Sequence, residues 1–426
     1  MISPNRLSVV DAIENLHRGD LTAEALMQAC LDRAAERADV KAWIWLDPKQ
    51  AIAQAREADR VGRPGLLAGI PIGVKDIIDT VDMPTGQGSP IYANNRPFAD
   101  AACIALLRMA GGTIMGKTVT TEFANRFPGA TVNPHNGGHS PGGSSSGSAA
   151  AVADFQVPAA LGTQTGGSVI RPSAYCGVVG YKPSFGEFPR TGLKLQSHTL
   201  DTLGIICRSV ADLPALRAAL LAAPAHRIAA SGAAPRIGVC RTPAWDTADE
   251  STHSLIESTA ARLVAAGARV SEVELAAPFV SILEHHRCIY YYEAARNYAY
   301  EYEQHRERLS RELLNTVLIP GRELPLGAYV HALETAEAFR RHLDDIFRDV
   351  DILLTPSAMG EAPEGLSSTG AASFNALWTL GWAPCITLPA GTGPKGLPLG
   401  VQLVGQRFRD EALFDAASWV ENNLAA

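Results

Sequence analysis

The sequence contains no run of lysine or arginine and no basic stripe, so it gives no support to a nucleic-acid-binding role. Charged residues make up 19% of the 426 residues, hydrophobic residues 46%, and the formal net charge is −7. That mild acidic excess speaks to solubility rather than to a charged partner. No apolar run reaches the length of a membrane span. The opening stretch MISPNRLSVVDAIENLHRGD lacks the apolar segment and cleavage pattern of a secretory signal, so no signal peptide is expected. The seven cysteines (Cys30, Cys103, Cys176, Cys207, Cys240, Cys288 and Cys385) are dispersed, odd in number and without a CxxC pair. A disulfide framework or zinc site is therefore not expected, and the usage fits a reducing, cytoplasmic compartment. What remains is the composition of a compact enzyme with a large core, long enough for one large α/β domain or for several average ones.

Helical spacing dominates residues 1–60. Thr22 can cap a helix with Leu26, Cys30 and Ala34 four apart, and Asp47 followed by Pro48 opens a second that runs to Arg60. Gly69-Ile70-Pro71-Ile72-Gly73-Val74-Lys75-Asp76 reads as a short buried strand ending in charge. The pattern then predicts a helix over 101–110, a strand over 113–116, a helix from 149 and a strand over 157–161. Later strands are predicted at 236–241, 269–275, 349–355, 385–389 and 401–404, with helices at 252–265 and 410–421. This alternation predicts an α/β fold with a mixed central β-sheet flanked by α-helices. Residues 280–348 read as a long helical insert rich in Tyr, Arg and Glu, and 221–234 as a surface crossing between two lobes.

Chemistry concentrates in two glycine-bounded turns. One is Gly142-Gly143-Ser144-Ser145-Ser146-Gly147-Ser148-Ala149-Ala150-Ala151, the other Thr165-Gly166-Gly167-Ser168-Val169-Ile170-Arg171. A Gly/Ser run is ordinarily a flexible linker. Here the first run flows into helix-forming alanines and the second follows a strand, so both sit between core elements. Neither turn carries a phosphate-binding GxxxxGK[ST] or GxGxxG pattern. Glycine permits sharp turns and brings main-chain N–H groups close to a ligand, which is what a serine nucleophile beside an oxyanion hole requires. The serine also needs a base. His135 and His139 precede the first turn, but nothing in the sequence places a supporting carboxylate. Lys75, at the end of an apolar strand, is the other candidate, because burial disfavours the charged amine. Its structural alternative is an ion pair with Asp76 or Asp79.

The motifs around Lys75, Gly116-Lys117-Thr118, Thr121-Glu122-Phe123-Ala124, Ser144, Ser168, Gly180-Tyr181-Lys182-Pro183-Ser184, Leu200-Asp201-Thr202-Leu203-Gly204 and Pro398-Leu399-Gly400-Val401-Gln402-Leu403-Val404-Gly405 closely resemble the amidase signature family in order and spacing. The resemblance covers most of the chain and is weakest over 290–348. It implies a Ser–cisSer–Lys triad. By motif position Ser168 matches the nucleophile, Ser144 the bridging serine whose preceding peptide bond is cis in this family, and Lys75 the base. Backbone N–H groups of Thr165, Gly166, Gly167 and Ser168 match the oxyanion donors. The implied activity is hydrolysis of a carboxylic amide through a seryl acyl-enzyme, with no metal and no cofactor. A carbamate, ureide or ester hydrolase would use the same triad. An amidotransferase A-type subunit, for which the chain is somewhat short, and a catalytically silent binding module are further alternatives. The expected partner is a small amide or carbamate, with no nucleic acid and no membrane, and a homodimer is the candidate assembly. The whole chain, 1–426, is read as one domain with its catalytic core at 60–210 and a specificity-determining insert at about 280–348.

Two departures from the family pattern stand out: Gln164 where Asp is common, and Ser146 where Gly is common. The first puts the usual hydrogen bonds of the nucleophile loop in question. Arg171 either braces that loop or reads a substrate carboxylate. Tyr290, Tyr291, Tyr292, Tyr298, Tyr300 and Tyr302 either pack the insert or wall a pocket. Lys117 reads as an ion-pair partner, Asp201 as a turn-fixing residue and Cys176 as a small core residue.

Overall fold

The computed structural model describes residues 3–63, 65–228 and 233–425. Among these, eleven strands form one sheet: β1 (Trp43–Leu46), β2 (Pro71–Lys75), β3 (Thr113–Thr118), β4 (Ala159–Gln164), β5 (Val179–Lys182), β6 (Thr202–Cys207), β7 (Arg236–Val239), β8 (Arg269–Glu272), β9 (Ile352–Pro356), β10 (Cys385–Thr392) and β11 (Pro398–Val404). Their order is β1-β3-β2-β4-β6-β5-β10-β11-β9-β7-β8. β2 runs parallel to β3 and β4, and β7 runs parallel to β8 and β9. The remaining pairs are antiparallel. The sheet is therefore mixed and flanked by helices, as the sequence pattern predicts. Every residue of β2, β3 and β4 is buried, which accounts for their near-continuous apolar character.

Local signals explain most element boundaries. The Thr22 side chain accepts from Ala25 N at the start of the helix Ala23–Glu36, and Asp47 accepts from Lys49 N and Gln50 N at the start of Pro48–Arg60. β4 starts later than predicted because Pro158 has no N–H for the ladder, and it extends through polar Thr163 and Gln164. The short strands β1, β5 and β6 escape the period-based reading. The predicted crossing at 221–234 lies partly outside the described residues, at 229–232, and the helix before it ends at Leu221. No helix among the described residues is long and apolar enough to cross a membrane.

The apolar interior falls into two main clusters. The larger surrounds β2, β3, β4 and β6 and includes Val74, Leu161, Val169 and Ile205. The second joins the predicted insert to the sheet: Ile289, Tyr290 and Tyr298 from the helices over 282–304, and Phe339 and Leu343 from Leu326–Ile346, meet Phe123, Leu353 and Trp378. The insert thus forms a wall beside the ends of β2 and β4. Because these two strands are parallel neighbours, with Val74 opposite Leu161, their carboxyl ends open on the same side.

Asp76, immediately after β2, faces Lys117 of β3 at 3.5 Å. Lys117 Nζ also donates to Ile78 O and Thr85 Oγ1, each at 2.7 Å. Burial pushes the Asp76 carboxyl up and the Lys117 amine down, each opposed by its partner, so the pair is held against desolvation. Removing one member of a buried pair leaves the other uncompensated, at a cost of roughly 3–5 kcal/mol. Asp76→Ala is accordingly expected to lower the unfolding free energy by about that much, read as a lower urea midpoint at an unchanged m-value. A midpoint equal to the parent's would show that the pair does not hold β2 to β3.

Candidate active site

Lys75 is fully buried at the end of β2. Its Nζ lies 2.7 Å from Ser144 Oγ, 2.8 Å from Thr163 Oγ1 and 3.4 Å from Thr163 O. Among the described residues no carboxylate forms an ion pair with it, and Asp76 turns to Lys117 instead. Burial drives its pKa well below the ordinary lysine value; the Asp201 charge opposes this and the Arg171 charge adds to it. A neutral amine has two N–H donors and one lone pair. The Thr163 carbonyl can only accept, so the two N–H groups suit Thr163 and the lone pair suits the Ser144 hydroxyl. The Gly143–Ser144 peptide is cis, as the family resemblance implies.

Ser168 stands between β4 and the helix Ile170–Cys176. The neighbouring main chain is tied to the first turn, Ser145 N donating to Ser168 O at 3.3 Å. Ser168 is half-buried and lines a cavity of about 980 Å³. No hydrogen bond joins its hydroxyl to Ser144 or to any other described residue. The structure therefore closes the Lys75–Ser144 link and leaves the Ser144–Ser168 link open. Hydrogen bonds between catalytic groups are often long before substrate binds.

The loop over 165–168 is oriented through its carbonyls. His286 Nε2 donates to Thr165 O at 2.8 Å, Thr379 Oγ1 donates to Gly166 O at 2.8 Å, and Arg171 N donates to Gly167 O at 2.9 Å. In a trans peptide the N–H points opposite to the C=O. Fixing these three carbonyls therefore aims the N–H groups of Gly166, Gly167 and Ser168 the other way, and none of the three donates to a described protein acceptor. Gly167 must be glycine, because a Cβ there would lie 2.3 Å from Asn375 Oδ1. His286 comes from the helix Ile282–Asn297 and Thr379 from Ala376–Leu380, so the insert and the C-terminal third both set the loop. Burial pushes His286 down to about 4, the Thr165 bond opposing and the Arg126 charge adding. The imidazole is thus neutral, with Nε2 carrying the proton.

Gln164 replaces the commoner aspartate without loss of anchoring. Its Oε1 accepts from Val169 N at 2.9 Å and Ile170 N at 3.1 Å, and its Nε2 donates to Thr379 Oγ1 at 3.1 Å. A carboxylate could accept the first two bonds but could not make the third. The Gln164 donor leaves the Thr379 proton for Gly166 O. Thr165 itself is anchored through Oγ1 to Asp201 at 2.6 Å, and Asp201 also accepts from Gln196 N and Ser197 N. Asp201 therefore fixes its turn, as expected, and the loop as well; burial raises its pKa to about 6.

The other expected residues divide between cleft and interior. Arg171 is buried on the cavity wall and donates through Nη2 to Gly143 O at 2.7 Å, which ties the two serine turns together. Tyr290 and Tyr291 line the cavity, whereas Tyr292 stacks on Tyr329 and Tyr298 packs on Phe123. His135 Nε2 donates to Cys176 O at 2.8 Å, and neither it nor His139 lines the cavity. Cys176 is buried. Gly111-Gly112-Thr113-Ile114-Met115-Gly116-Lys117-Thr118 literally fits a phosphate-loop pattern, but 113–118 is the buried strand β3 and Lys117 is fully engaged, so no phosphate cradle exists there. Among the described residues no three His, Cys, Asp or Glu side chains could hold a metal ion. Sequence reasoning missed Thr163, His286 and Thr379; of these only Thr163 stands beside a recognised motif.

The fold and this site define an α/β protein with a serine–lysine centre on a mixed sheet. The chain belongs to the amidase family, whose family model, Amidase, matches residues 25–414. The A-type subunit of a glutamyl-tRNA(Gln) amidotransferase from Chloroflexus aggregans is 34% identical, over 95% of this chain and 94% of that protein. A solved amidase is 30% identical over 98% of this chain and 99% of its own, with a TM-score of 0.89. The native peptide amidase of Stenotrophomonas maltophilia is 30% identical over 99% and 97%, with a TM-score of 0.82. Such coverage removes shortness as an argument against an amidotransferase role.

If the carbonyl anchors orient the loop, Thr379→Val should slow labelling by a fluorophosphonate about 10- to 100-fold and, by leaving Gly166 O and Gln164 Nε2 without this partner, cost roughly 1–3 kcal/mol of stability. An unchanged labelling rate would rule out the Gln164–Thr379–Gly166 chain as the orienting device.

Proposed function

We propose that this protein cleaves a carboxylic amide C–N bond through an ester formed on Ser168, with Lys75 as base and Ser144 as proton relay. The observation carrying this reading is the carboxylate-free burial of Lys75 with its Nζ 2.7 Å from Ser144 Oγ. The Ser144 proton passes to the Lys75 lone pair as Ser144 takes the proton of Ser168. Ser168 Oγ bonds to the substrate carbonyl carbon, and the carbonyl electrons move onto oxygen. The free N–H groups of the 165–168 loop hold that oxyanion, each such donor worth roughly 3 kcal/mol of barrier. When the oxyanion collapses, the C–N bond breaks, and the departing nitrogen takes the relayed proton from Lys75 by way of Ser144. Water then repeats the sequence on the ester, giving the carboxylic acid and restoring Ser168. Esters, carbamates and ureides present the same electrophilic carbon and fall within the same chemistry.

The second reading is an amidotransferase A-type subunit, favoured by the 34% identity to a protein of that name. In that role the amide cleaved is glutamine's and the ammonia serves a partner. The amide-cleaving step is common to both readings. A silent binding module is opposed by the presence of Lys75, Ser144 and Ser168 together. The helical segment at 280–348 is read as the part that selects substrate, since Arg287, Tyr290 and Tyr291 face the cavity.

A hydrolysis panel of small amides, anilides, carbamates and glutamine, run beside Ser168→Ala and with mass analysis of fluorophosphonate adducts, tests the reading. The expected outcome is turnover and an adduct at Ser168, both absent from the variant; an adduct elsewhere, or none, removes the proposed nucleophile. The pH dependence has a definite sign. Lys75 acts only as the free amine, so kcat/KM is expected to fall as pH drops through its lowered pKa and to level off above it. Lys75→Met should reduce kcat by roughly 10²–10⁴-fold. A limb that persists unshifted in an active Lys75→Met protein would assign the titration to another group.

A further inference from the structure

The walls of the cleft carry an imbalance of charge that the catalytic chemistry does not use. Four arginines line the cavity, Arg126, Arg171, Arg287 and Arg311, against a single carboxylate, Glu312. This occurs in a chain whose net charge is −7. Arg171 is committed to Gly143 O. The other three are exposed toward the cleft, and among the described residues none of their side chains makes a hydrogen bond, ion pair or ring contact. Elsewhere arginines are mostly engaged: Arg33 and Arg37 share Asp154, Arg108 binds Asp82 and Asp100, and Arg217 binds Glu187 and Glu411. The other arginines whose side chains have no partner among the described residues, Arg227, Arg269 and Arg409, do not line this cavity.

The three come from separate parts of the chain. Arg126 follows the turn Glu122–Ala124, Arg287 lies on Ile282–Asn297, and Arg311 opens Arg311–Leu313. Three guanidinium groups without a protein partner on one concavity set up a positive field that favours an anion within it. Arg126 already acts on the interior, its charge disfavouring protonation of His286 and Arg171.

We propose that the amide accepted by this cleft carries a carboxylate at its far end, read by Arg126, Arg287 and Arg311 while its carbonyl lies at Ser168. Guanidinium forks match carboxylate oxygens bidentately, which gives orientation as well as attraction. A zwitterionic amide such as glutamine brings an ammonium into the same arginine-rich space, where only Glu312 can answer it. A dicarboxylic acid monoamide is therefore favoured over both its neutral analogue and its α-amino derivative. This inference deepens the amide-cleavage reading and rests on it.

The test compares glutaramate, its neutral methyl ester and glutamine, using amide turnover and, separately, calorimetric binding to the Ser168→Ala protein, which needs no catalysis. Glutaramate is expected to bind and react at least about tenfold better than either, with the preference weakened by added salt. Arg126→Gln, Arg287→Gln and Arg311→Gln alter exposed side chains and should fold, as thermal melts would verify. Each is expected to reduce the glutaramate-to-ester ratio in binding. Equal binding of acid and ester, a preference for glutamine, or an unchanged ratio in all three variants would overturn the proposal. Failure of turnover with retained, arginine-dependent glutaramate binding would instead count against amide cleavage and leave the anion site standing.

Discussion

A lysine amine sealed in the interior without a counter-charge is the constraint around which this molecule is arranged. Such a group is tolerated only if it sheds its proton and if its hydrogen-bonding capacity is met. Thr163 supplies two oxygen atoms and Ser144 a third, so a neutral amine would be satisfied with its lone pair toward the serine turns. The parallel pairing of β2 with β4 makes this feasible, because it brings the strand end bearing Lys75 beside the strand end bearing Thr163. The carboxylate next to it in the chain, Asp76, is drawn away to Lys117. One ion pair one residue along the chain thereby preserves the unpaired state of its neighbour.

The second requirement is that amide donors stay free in a region that is otherwise hydrogen-bonded. Buried main-chain N–H groups are rarely left without partners. Here the carbonyls of the same peptides are satisfied by His286, Thr379 and the first turn of Ile170–Cys176, so each peptide plane is held while its donor remains unspent. Arg171 links this loop to the first serine turn through Gly143 O. The two turns are thus one assembly, although a helix and a strand separate them in sequence.

Much of this was legible in the residues because short-range rules act at the site. Glycine runs beside serines, an apolar strand ending in lysine, and capping residues such as Thr22 and Asp47 each declare a local geometry. The mixed sheet followed from alternation of strand and helix patterns. Strands β1, β5 and β6 were not legible, since four to six residues flanked by motifs carry too little periodicity. His286 and Thr379 were not legible for a different reason. Each acts on a loop more than a hundred positions away, and nothing in the composition of their own helices marks them. Gln164 could be noticed as a departure, but its donation to Thr379 needed coordinates.

The two apolar clusters have a consequence for how such proteins diversify. The floor of the cleft, bearing Lys75 and Ser168, leans on one of them through Val74 and Val169, while much of the enclosing wall leans on the other, through Ile289, Tyr290 and Leu313. Side chains on the wall can be exchanged with repacking confined largely to the second interior. A new cleft lining can therefore arise largely by drift in one compartment, provided that His286 keeps its bond to Thr165 O.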